Sequence, residues 1–245
     1  MAPILQVAKL AKRFGGNQAL AQVSFSAEKS EITAIIGPNG SGKSTLFNLL
    51  ASTLVKDSGT ILIDAKTVTD KSDHILAKEM LSRTFQDTRI FTYLTIRQHM
   101  ELALSTKDQS LIKSFFARQE NNDDAINNAL NWVGLEHDLN EMGANLSYGQ
   151  TKLLTLAMAI AKNHKILLLD EPVAGVNPKL RKKIAKILQK LRSAGETILL
   201  IEHDMDFVLS LADKIIVLDL GKVIMEGTPK QILASKNVLK AYLGR

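Results

Sequence analysis

The sequence predicts an α/β fold with a mainly parallel sheet, a smaller antiparallel β part and a helical insertion. Two strand-sized runs, residues 166–169 and 197–201, are apolar almost throughout, as in parallel strands that helices cover on both faces. Residues 6–14 (QVAKLAKRF) alternate instead, as in a strand with one solvated face. Strand signals nearly vanish between Gln86 and Leu146, which indicates helices in that region.

The individual elements follow from the same patterns. We predict strands at residues 4–10, 23–27, 32–36, 60–63, 166–169, 197–201 and 215–218. We predict helices at residues 45–52, 111–118, 124–133, 151–163 and 179–194. In the third of these helices, Ile126, Leu130 and Val133 share one face.

Composition narrows the possible classes. The chain has 245 residues, 45% of them hydrophobic, which excludes a mainly disordered protein. It contains no Cys, so disulfides, thiolate metal sites and thiol nucleophiles are excluded. No apolar run is long enough for a membrane span or a cleaved signal peptide. The net charge of +6 is compatible with nucleic acid, anionic lipid, an acidic partner or a polyphosphate ligand.

A phosphate-binding loop is predicted at residues 37–45 (GPNGSGKST), between a strand and a helix. Its glycines let backbone N–H groups face a phosphate chain, and the helix N-terminus adds its dipole. Lys43 is suited to hold the β- and γ-phosphates and to act in catalysis, and Ser44 is suited to ligate Mg²⁺. A glycine-rich turn that binds nothing is the alternative. The predicted nucleotide-binding residues of this P-loop NTPase core are Gly37, Pro38, Asn39, Gly40, Ser41, Gly42, Lys43, Ser44 and Thr45.

Two adjacent acids end the apolar run 166–169. Asp170 is placed to reach a Mg²⁺ ion, and Glu171 is placed to polarise an attacking water. A strand that ends in an acidic turn is common, so this prediction depends on the loop upstream. Together the two motifs indicate nucleotide hydrolysis, which kinases, GTPases and recombination ATPases also share.

Residues 145–150 (NLSYGQ) discriminate among these classes. Ser147 and Gly149 open a predicted helix, which offers a hydroxyl, N–H groups and a positive dipole to a phosphate. A plain N-capping serine is the alternative. The motif resembles the signature of the ABC ATPase family. The resemblance implies a head-to-tail dimer that sandwiches two ATPs, with these residues on the ATP of the opposite subunit: Leu146, Ser147, Tyr148, Gly149 and Gln150.

Three further residues resemble functional positions of this family. Gln86 resembles the glutamine that contacts Mg²⁺ and the attacking water, and His203 resembles the histidine that faces the γ-phosphate. Phe14 resembles the aromatic residue that stacks on adenine, with a core or edge-strand Phe as the alternative. The other histidines are predicted to be surface residues: His74, His99, His137 and His164.

Two positions depart from the family pattern. Asn177, which the resemblance places near the ATP of the opposite subunit, stands where most members carry Asp. The departure weakens a charge-based role for this loop, although Asn177 and Pro178 also suit a helix start. Leu153 replaces a commoner basic residue. The basic helix at 179–194 carries one apolar stripe, which favours a solvated face over nucleic-acid binding.

Several stretches are similar to one subgroup, the ATP-binding subunits of branched-chain amino acid importers, with urea and amide importers close by. These stretches are RTFQDTRIF, LSYGQ, LLLDEPVAGVNP, LLIEHDMDFV and KVIMEGTP. A soluble ABC ATPase that acts on nucleic acid or ribosomes is the alternative, but the chain lacks the long heptad coiled coil and the second cassette of such proteins. A further alternative is a nucleotide-dependent regulatory module that no longer hydrolyses ATP. A measured ATPase rate would distinguish it from a transport ATPase.

The resemblance implies an ATP- and Mg²⁺-dependent ATPase with a single ABC domain over residues 4–243. A RecA-like core with the antiparallel β part would cover 4–86 and 163–243, and a helical subdomain with the signature would cover 87–162. The implied partners are a second ATP-binding subunit, identical or different, and permease subunits that contact the segment after Gln86. A substrate-binding protein would act indirectly, and no nucleic acid is expected. The expected location is the cytoplasmic face of the inner (plasma) membrane, as a peripheral subunit.

Overall fold

The computed structural model describes residues 2–68, 80–84, 90–105, 123–136 and 138–235. The strands in these ranges are β1 (Leu5–Phe14), β2 (Asn17–Ala27), β3 (Ile32–Ile36), β4 (Ser58–Ile63), β5 (Lys66–Thr67), β6 (Leu81–Arg83), β7 (Ile166–Asp170), β8 (Ile198–Ile201), β9 (Lys214–Asp219) and β10 (Lys222–Gly227). The α-helices are α1 (Lys43–Leu50), α2 (Ile96–Leu104), α3 (Asp123–Val133), α4 (Tyr148–Ala161), α5 (Pro178–Ser193), α6 (Met205–Leu211) and α7 (Pro229–Leu233).

The strands form two sheets. A six-stranded sheet has the order β10-β9-β3-β8-β7-β6 and is parallel except for the antiparallel strand β10. A four-stranded antiparallel sheet has the order β2-β1-β4-β5. The predicted α/β fold, with a mainly parallel sheet and an antiparallel β part, is confirmed.

The large sheet is buried on both faces, which explains its uniformly apolar strands. In β7, Leu167 and Leu169 face a core built mainly with α4, α5 and α6, whereas Ile166 and Leu168 face a core shared with α1 and the antiparallel sheet. Neighbouring parallel strands point their carboxyl ends the same way, so the chain leaves β3, β7 and β8 at one edge. That edge receives the residues with predicted chemistry.

The helices α2, α3 and α4 pack against one another, and they lie between β6 and β7 in the chain. In α3, Ile126, Leu130 and Val133 are buried, as predicted. The predicted helix at 111–118 lies outside the described residues. No helix within the described ranges combines the length and apolar character needed to cross a bilayer.

Two of the histidines predicted at the surface are buried. His99 is 1% exposed, accepts from the backbone N–H of Phe91 at Nε2 (3.0 Å) and donates from Nδ1 to the carbonyl oxygen of Thr95 (2.8 Å). The side chain of His164 is 3% exposed and lies 3.0 Å from a carboxylate oxygen of Glu196. Polar neighbours in the sequence suggested solvent, but hydrogen bonds make burial of each ring tolerable. His74 and His137 lie outside the described residues.

Candidate functional site

The loop after β3 is shaped by close backbone approaches. A Cβ atom at Gly37 would lie 2.1 Å from the carbonyl oxygen of Leu218 in β9. Gly42 has a φ of +105°, and a Cβ there would lie 2.6 Å from the carbonyl oxygen of Ala19. Only glycine fits these two positions without moving the neighbouring strands. Gly42 directly precedes α1, so the loop ends on a helix N-terminus as the sequence predicted.

Lys43 opens α1 and folds its side chain back over the loop. Its ammonium donates to the carbonyl oxygens of Gly37 (2.7 Å) and Pro38 (3.1 Å), and the residue is 8% exposed. Burial lowers the pKa of Lys43, and the nearby carboxylates of Glu171 and Asp170 partly oppose this effect. The structure thus brings Lys43 and the acidic pair into one electrostatic environment.

Asp170 ends β7 and is 6% exposed. Its carboxylate accepts from the guanidinium of Arg83 at 2.8 Å, and its backbone N–H donates to the hydroxyl of Thr84 at 3.3 Å. Arg83 in turn donates to the side-chain oxygen of Asn48 at 2.7 Å. This network fixes Asp170 between β6 and α1, and sequence reasoning missed Arg83 because the short strand β6 gave no clear pattern.

Glu171 and His203 lie side by side at the ends of β7 and β8. The carboxylate of Glu171 lies 3.8 Å from Nδ1 of His203, with side chains 19% and 61% exposed. The backbone N–H of Glu171 donates to the carbonyl oxygen of Ile201 at 3.0 Å. Glu171 adopts a φ of +48°, which side-chain-bearing residues rarely take and which often marks a functional position.

The buried residue Glu202 holds the loop between Glu171 and α5 through hydrogen bonds. Sequence reasoning had not indicated a role for this residue. Glu202 is 0% exposed, and its carboxylate accepts from the backbone N–H groups of Val173 (3.1 Å) and His203 (3.2 Å). Burial raises the pKa of Glu202, and the backbone donors act in the opposite direction. Its position directly after a buried apolar strand was the available signal.

The signature residues form the N-terminus of α4. Ser147 is the N-cap: its hydroxyl accepts from the backbone N–H of Gln150 (3.4 Å), and the side chain of Gln150 accepts from the backbone N–H of Ser147 (2.8 Å). This capping box orients the first turn of the helix. Leu153 is 5% exposed within the core, so an apolar residue fits this departure from the family pattern.

The remaining predicted residues occupy different surroundings. Asn177 is the N-cap of α5 and accepts from the backbone N–H of Leu180 at 2.9 Å, so its predicted role at a helix start is confirmed. Phe14 lies at the end of β1 and is 49% exposed, so it is not a core residue. Gln86 lies outside the described residues, as do residues 87–89 of the segment predicted to contact permeases.

The basic helix α5 presents its charges to solvent, as predicted. Its exposed lysines are Lys179, Lys182, Lys183, Lys186 and Lys190. Ile184, Ile187, Leu188 and Leu191 form the buried stripe on the other side. Leu180, which the predicted stripe also included, is only partly buried.

Comparison with known proteins is consistent with this geometry. A family model described as ABC transporter matches residues 20–174. A high-affinity branched-chain amino acid transport ATP-binding protein of Pseudomonas aeruginosa, BraF, is 37% identical over 99% of this chain and 98% of its own length. The corresponding protein LivG of Escherichia coli K12 is 36% identical over the same shares.

Solved structures give the same result. The ADP conformation of MJ1267, an ATP-binding cassette of an ABC transporter, aligns with a TM-score of 0.87 at 33% identity and covers 100% of both chains. The family resemblance, the fold and nucleotide binding predicted from the sequence are thereby confirmed. The chain therefore belongs to the ABC transporter family, as an ATP-binding cassette that serves as the ATPase of a transport system.

Proposed function

We propose that this chain is the ATP-hydrolysing subunit of an importer for branched-chain amino acids. The observation that carries the proposal is similarity over nearly the whole chain to two proteins named for branched-chain amino acid transport. Urea and amides remain the alternative substrates. This chain would not contact the solute, so its residues do not select between the two classes. The substrate would be selected by a binding protein and permease subunits.

The residues of the loop 37–45 fit a nucleoside triphosphate. The ammonium of Lys43 donates hydrogen bonds to two backbone carbonyl oxygens of the loop. Oxygens of a β- or γ-phosphate could accept these hydrogen bonds in place of the carbonyls. The hydroxyl of Ser41 is buried and has no hydrogen-bond partner among the described residues, which leaves a donor for a phosphate oxygen. Phe14 offers an exposed ring face for the adenine.

The site also fits Mg²⁺ bound together with the nucleotide. Among the described residues there is no cluster of three or more acidic or histidine side chains that could hold a metal alone. Mg²⁺ commonly takes only one or two carboxylates together with substrate phosphates, a need that Asp170 and the hydroxyl of Ser44 would meet. When bound, the ion would neutralise phosphate charge, and Gln86 is our further candidate ligand.

Glu171 is the proposed general base for hydrolysis. Its partly exposed carboxylate can accept a proton from water, and His203 at 3.8 Å lies close enough to orient the water or contact the γ-phosphate. Lys43 would stabilise the charge that develops on the phosphates. Asp170 is held by Arg83 and is therefore less suited to accept that proton.

A second subunit would complete each site. The N-terminus of α4, with Leu146, Ser147, Tyr148, Gly149 and Gln150, would face the γ-phosphate bound by the loop of the partner subunit, and Asn177 would lie nearby. Closure of such a dimer by ATP, and reopening after hydrolysis, is population shift through preferential binding of ATP to the closed state. A heteromeric pair is favoured, and a homodimer is chemically sufficient.

Residues 90–93 are the described part of the proposed permease contact, and Leu94 directly follows them. Phe91 and Tyr93 are 61% and 88% exposed, which is unusual for aromatic side chains. The backbone of the segment is nevertheless fixed, because Leu94 accepts from Gly143 N–H (2.8 Å) and Thr92 accepts from Ala144 N–H (3.1 Å). Exposed aromatic residues on a fixed backbone suit a docking surface.

We further propose the subdomain division of residues 4–86 with 163–243 and of 87–162, and a peripheral position on the cytoplasmic face of the inner membrane. The packing of α2 and α3 onto α4 supports this division, because α4 carries the signature end. Movement of this helical part relative to the β-sheets would transmit closure of the dimer to the permeases.

The proposal is tested by purifying tagged Glu171→Gln chain with ATP from its native membranes. This variant should bind ATP but turn it over slowly, and it should therefore hold the assembled complex. Mass spectrometry should then identify two multi-span permeases and a second ATPase. Uptake of labelled leucine, isoleucine, valine and urea by the wild-type complex then assigns the substrate. Recovery of ribosomal or DNA-bound proteins instead would contradict the importer assignment.

A further inference from the structure

The signature end of α4 contacts the loop that follows Glu171 in the same chain. The hydroxyl of Tyr148 donates to the carbonyl oxygen of Ala174 at 3.0 Å. One turn further along α4, the ammonium of Lys152 donates to the carbonyl oxygen of Glu171 at 3.5 Å. Successive turns of one helix therefore hold both ends of the short turn 171–174, which is closed by the bond from the N–H of Ala174 to the carbonyl oxygen of Glu171.

Close packing restricts movement at this contact. Gly175 has a φ of +71°, and a Cβ there would lie 3.3 Å from the hydroxyl oxygen of Tyr148. A Cβ at Gly149 would lie 2.7 Å from a terminal carbon of Leu180 in α5. The first turn of α4 is thus packed against the loop and against the helix at the end of that loop, so these parts move together.

Lys152 is a charged residue in a buried position. It is 6% exposed, and its ammonium lies 5.7 Å from the centroid of the Tyr148 ring, within cation–π range. Burying a lysine side chain costs free energy that a purely apolar residue would avoid. The cost is consistent with a role for Lys152 beyond packing, and one of its hydrogen bonds goes to the backbone of the catalytic loop.

We propose that Tyr148 and Lys152 are positioning residues that couple the signature end of α4 to the loop of Glu171. ATP contact at one composite site of the dimer would thereby adjust the catalytic loop that serves the other site. The proposal rests on the proposed function, in which the signature end faces the ATP of the opposite subunit. The uncommon φ of Glu171 requires support from its surroundings, and the two donors of α4 provide part of that support.

Conservative variants isolate each donor. Tyr148→Phe removes one hydroxyl and keeps the ring, and we expect kcat for ATP to fall about threefold to tenfold, as for the loss of one hydrogen bond. The affinity of the monomeric chain for ATP should change by less than about twofold, because neither donor contacts the loop 37–45. Lys152→Met keeps an unbranched apolar chain and should lower kcat at least as much. Lys186→Met, on the exposed face of α5, is the matched control.

Two further readouts separate coupling from a general loss of structure. Since both donors act on one loop, Tyr148→Phe should reduce kcat less in the Lys152→Met background than in the wild type. Hydrogen exchange at the amides of residues 173–176, measured without nucleotide, should be faster in both variants and unchanged in Lys186→Met. Thermal unfolding checks that each variant is folded. If Lys152→Met does not fold, Tyr148→Phe alone suffices to test the coupling.

A Tyr148→Phe variant with wild-type kcat, or with unchanged exchange in the loop, would overturn the coupling. A loss of ATP affinity in the monomeric chain that accounts for the fall in kcat would also overturn it, because the fall would then come from weaker binding to the loop 37–45 and not from the loop of Glu171. Each of these three results leaves the proposed function standing as long as the wild-type complex hydrolyses ATP. Absence of hydrolysis by the wild-type complex would instead contradict the proposed function.

Discussion

Glu202 joins two parts of the candidate site through one buried carboxylate. It accepts from the backbone N–H of Val173, in the loop after Glu171, and from that of His203. Buried polar groups are retained where their hydrogen bonds are satisfied. Glu202 therefore sets the spacing between the proposed base and the histidine beside it.

The raised pKa of Glu202 predicts a pH-dependent contribution to stability. Below its unfolded pKa of about 4.3 the carboxyl is neutral in both states and its contribution to stability is fully present. As pH rises through the higher pKa of the folded state, ionisation of the buried group removes that contribution. Urea unfolding should therefore show that the free energy of unfolding of the wild type falls relative to that of Glu202→Gln as the pH rises from acid to neutral.

The control for this prediction is His203, whose Nδ1 lies 4.0 Å from the carboxylate of Glu202 and whose charge acts to lower the pKa of that carboxyl. The comparison is therefore repeated in a His203→Asn background. A stability difference that stays constant with pH in that background would contradict the raised pKa of Glu202.

The elements that position the site differ in how much of them the sequence could predict. Strand β3 was predicted with its observed bounds, because five buried apolar or small residues stand between polar turns. The helix starts at Ser147 and Asn177 were predictable from side chains that cap locally. Such signals act within a few residues of the chain, so sequence alone carries them.

Other elements depend on contacts that no local pattern encodes. Strand β6 has only three residues and is defined by its pairing with β7. Strand β10 alternates between partly and fully exposed residues, so it lacks the buried face that marks a strand in a sequence. The short strand β5 was likewise not predicted. Arg83 and Glu202 acquire partners from distant parts of the chain, so their roles required the structure. The burial of His99 also required the structure, because its polar neighbours in the sequence suggested an exposed side chain.

The segment 90–93 yields a prediction at the level of elements. Phe91→Ala and Tyr93→Ala should each weaken association with the permeases by about tenfold or more, as when an interface aromatic residue is truncated. Affinity for ATP should be unchanged, because the segment does not belong to the loop 37–45. Pull-down of permeases from membranes, with nucleotide titration alongside, measures both quantities.

Leu233→Ala is the matched control, since Leu233 is an apolar residue that is 54% exposed on α7. Equal permease association in Phe91→Ala, Tyr93→Ala and the control would show that the exposed aromatic residues serve another purpose. Reduced association in all three would indicate a general effect on surface hydrophobicity.

The molecule as a whole presents its phosphate-binding loop and its signature end as separate surfaces. Both are helix N-termini, at α1 and α4, and each is suited to an anion. With a net charge of +6, two such chains repel one another, and anionic nucleotides between them would reduce that repulsion. ATP is thus expected to act as part of the dimer interface as well as the substrate.

This arrangement predicts that ATP drives dimerisation when hydrolysis is blocked. The full-length Glu171→Gln chain should sediment as a monomer without nucleotide and as a dimer with ATP and Mg²⁺, and should return to monomer with ADP. Adding Ser147→Arg should abolish the dimer, because a bulky charged side chain replaces the N-cap at the proposed contact, while ATP binding by the monomer persists. Ser193→Arg, at the exposed end of α5, should leave dimerisation unchanged. A dimer that forms equally with Ser147→Arg would place the signature end outside the interface and remove the physical basis for two composite sites.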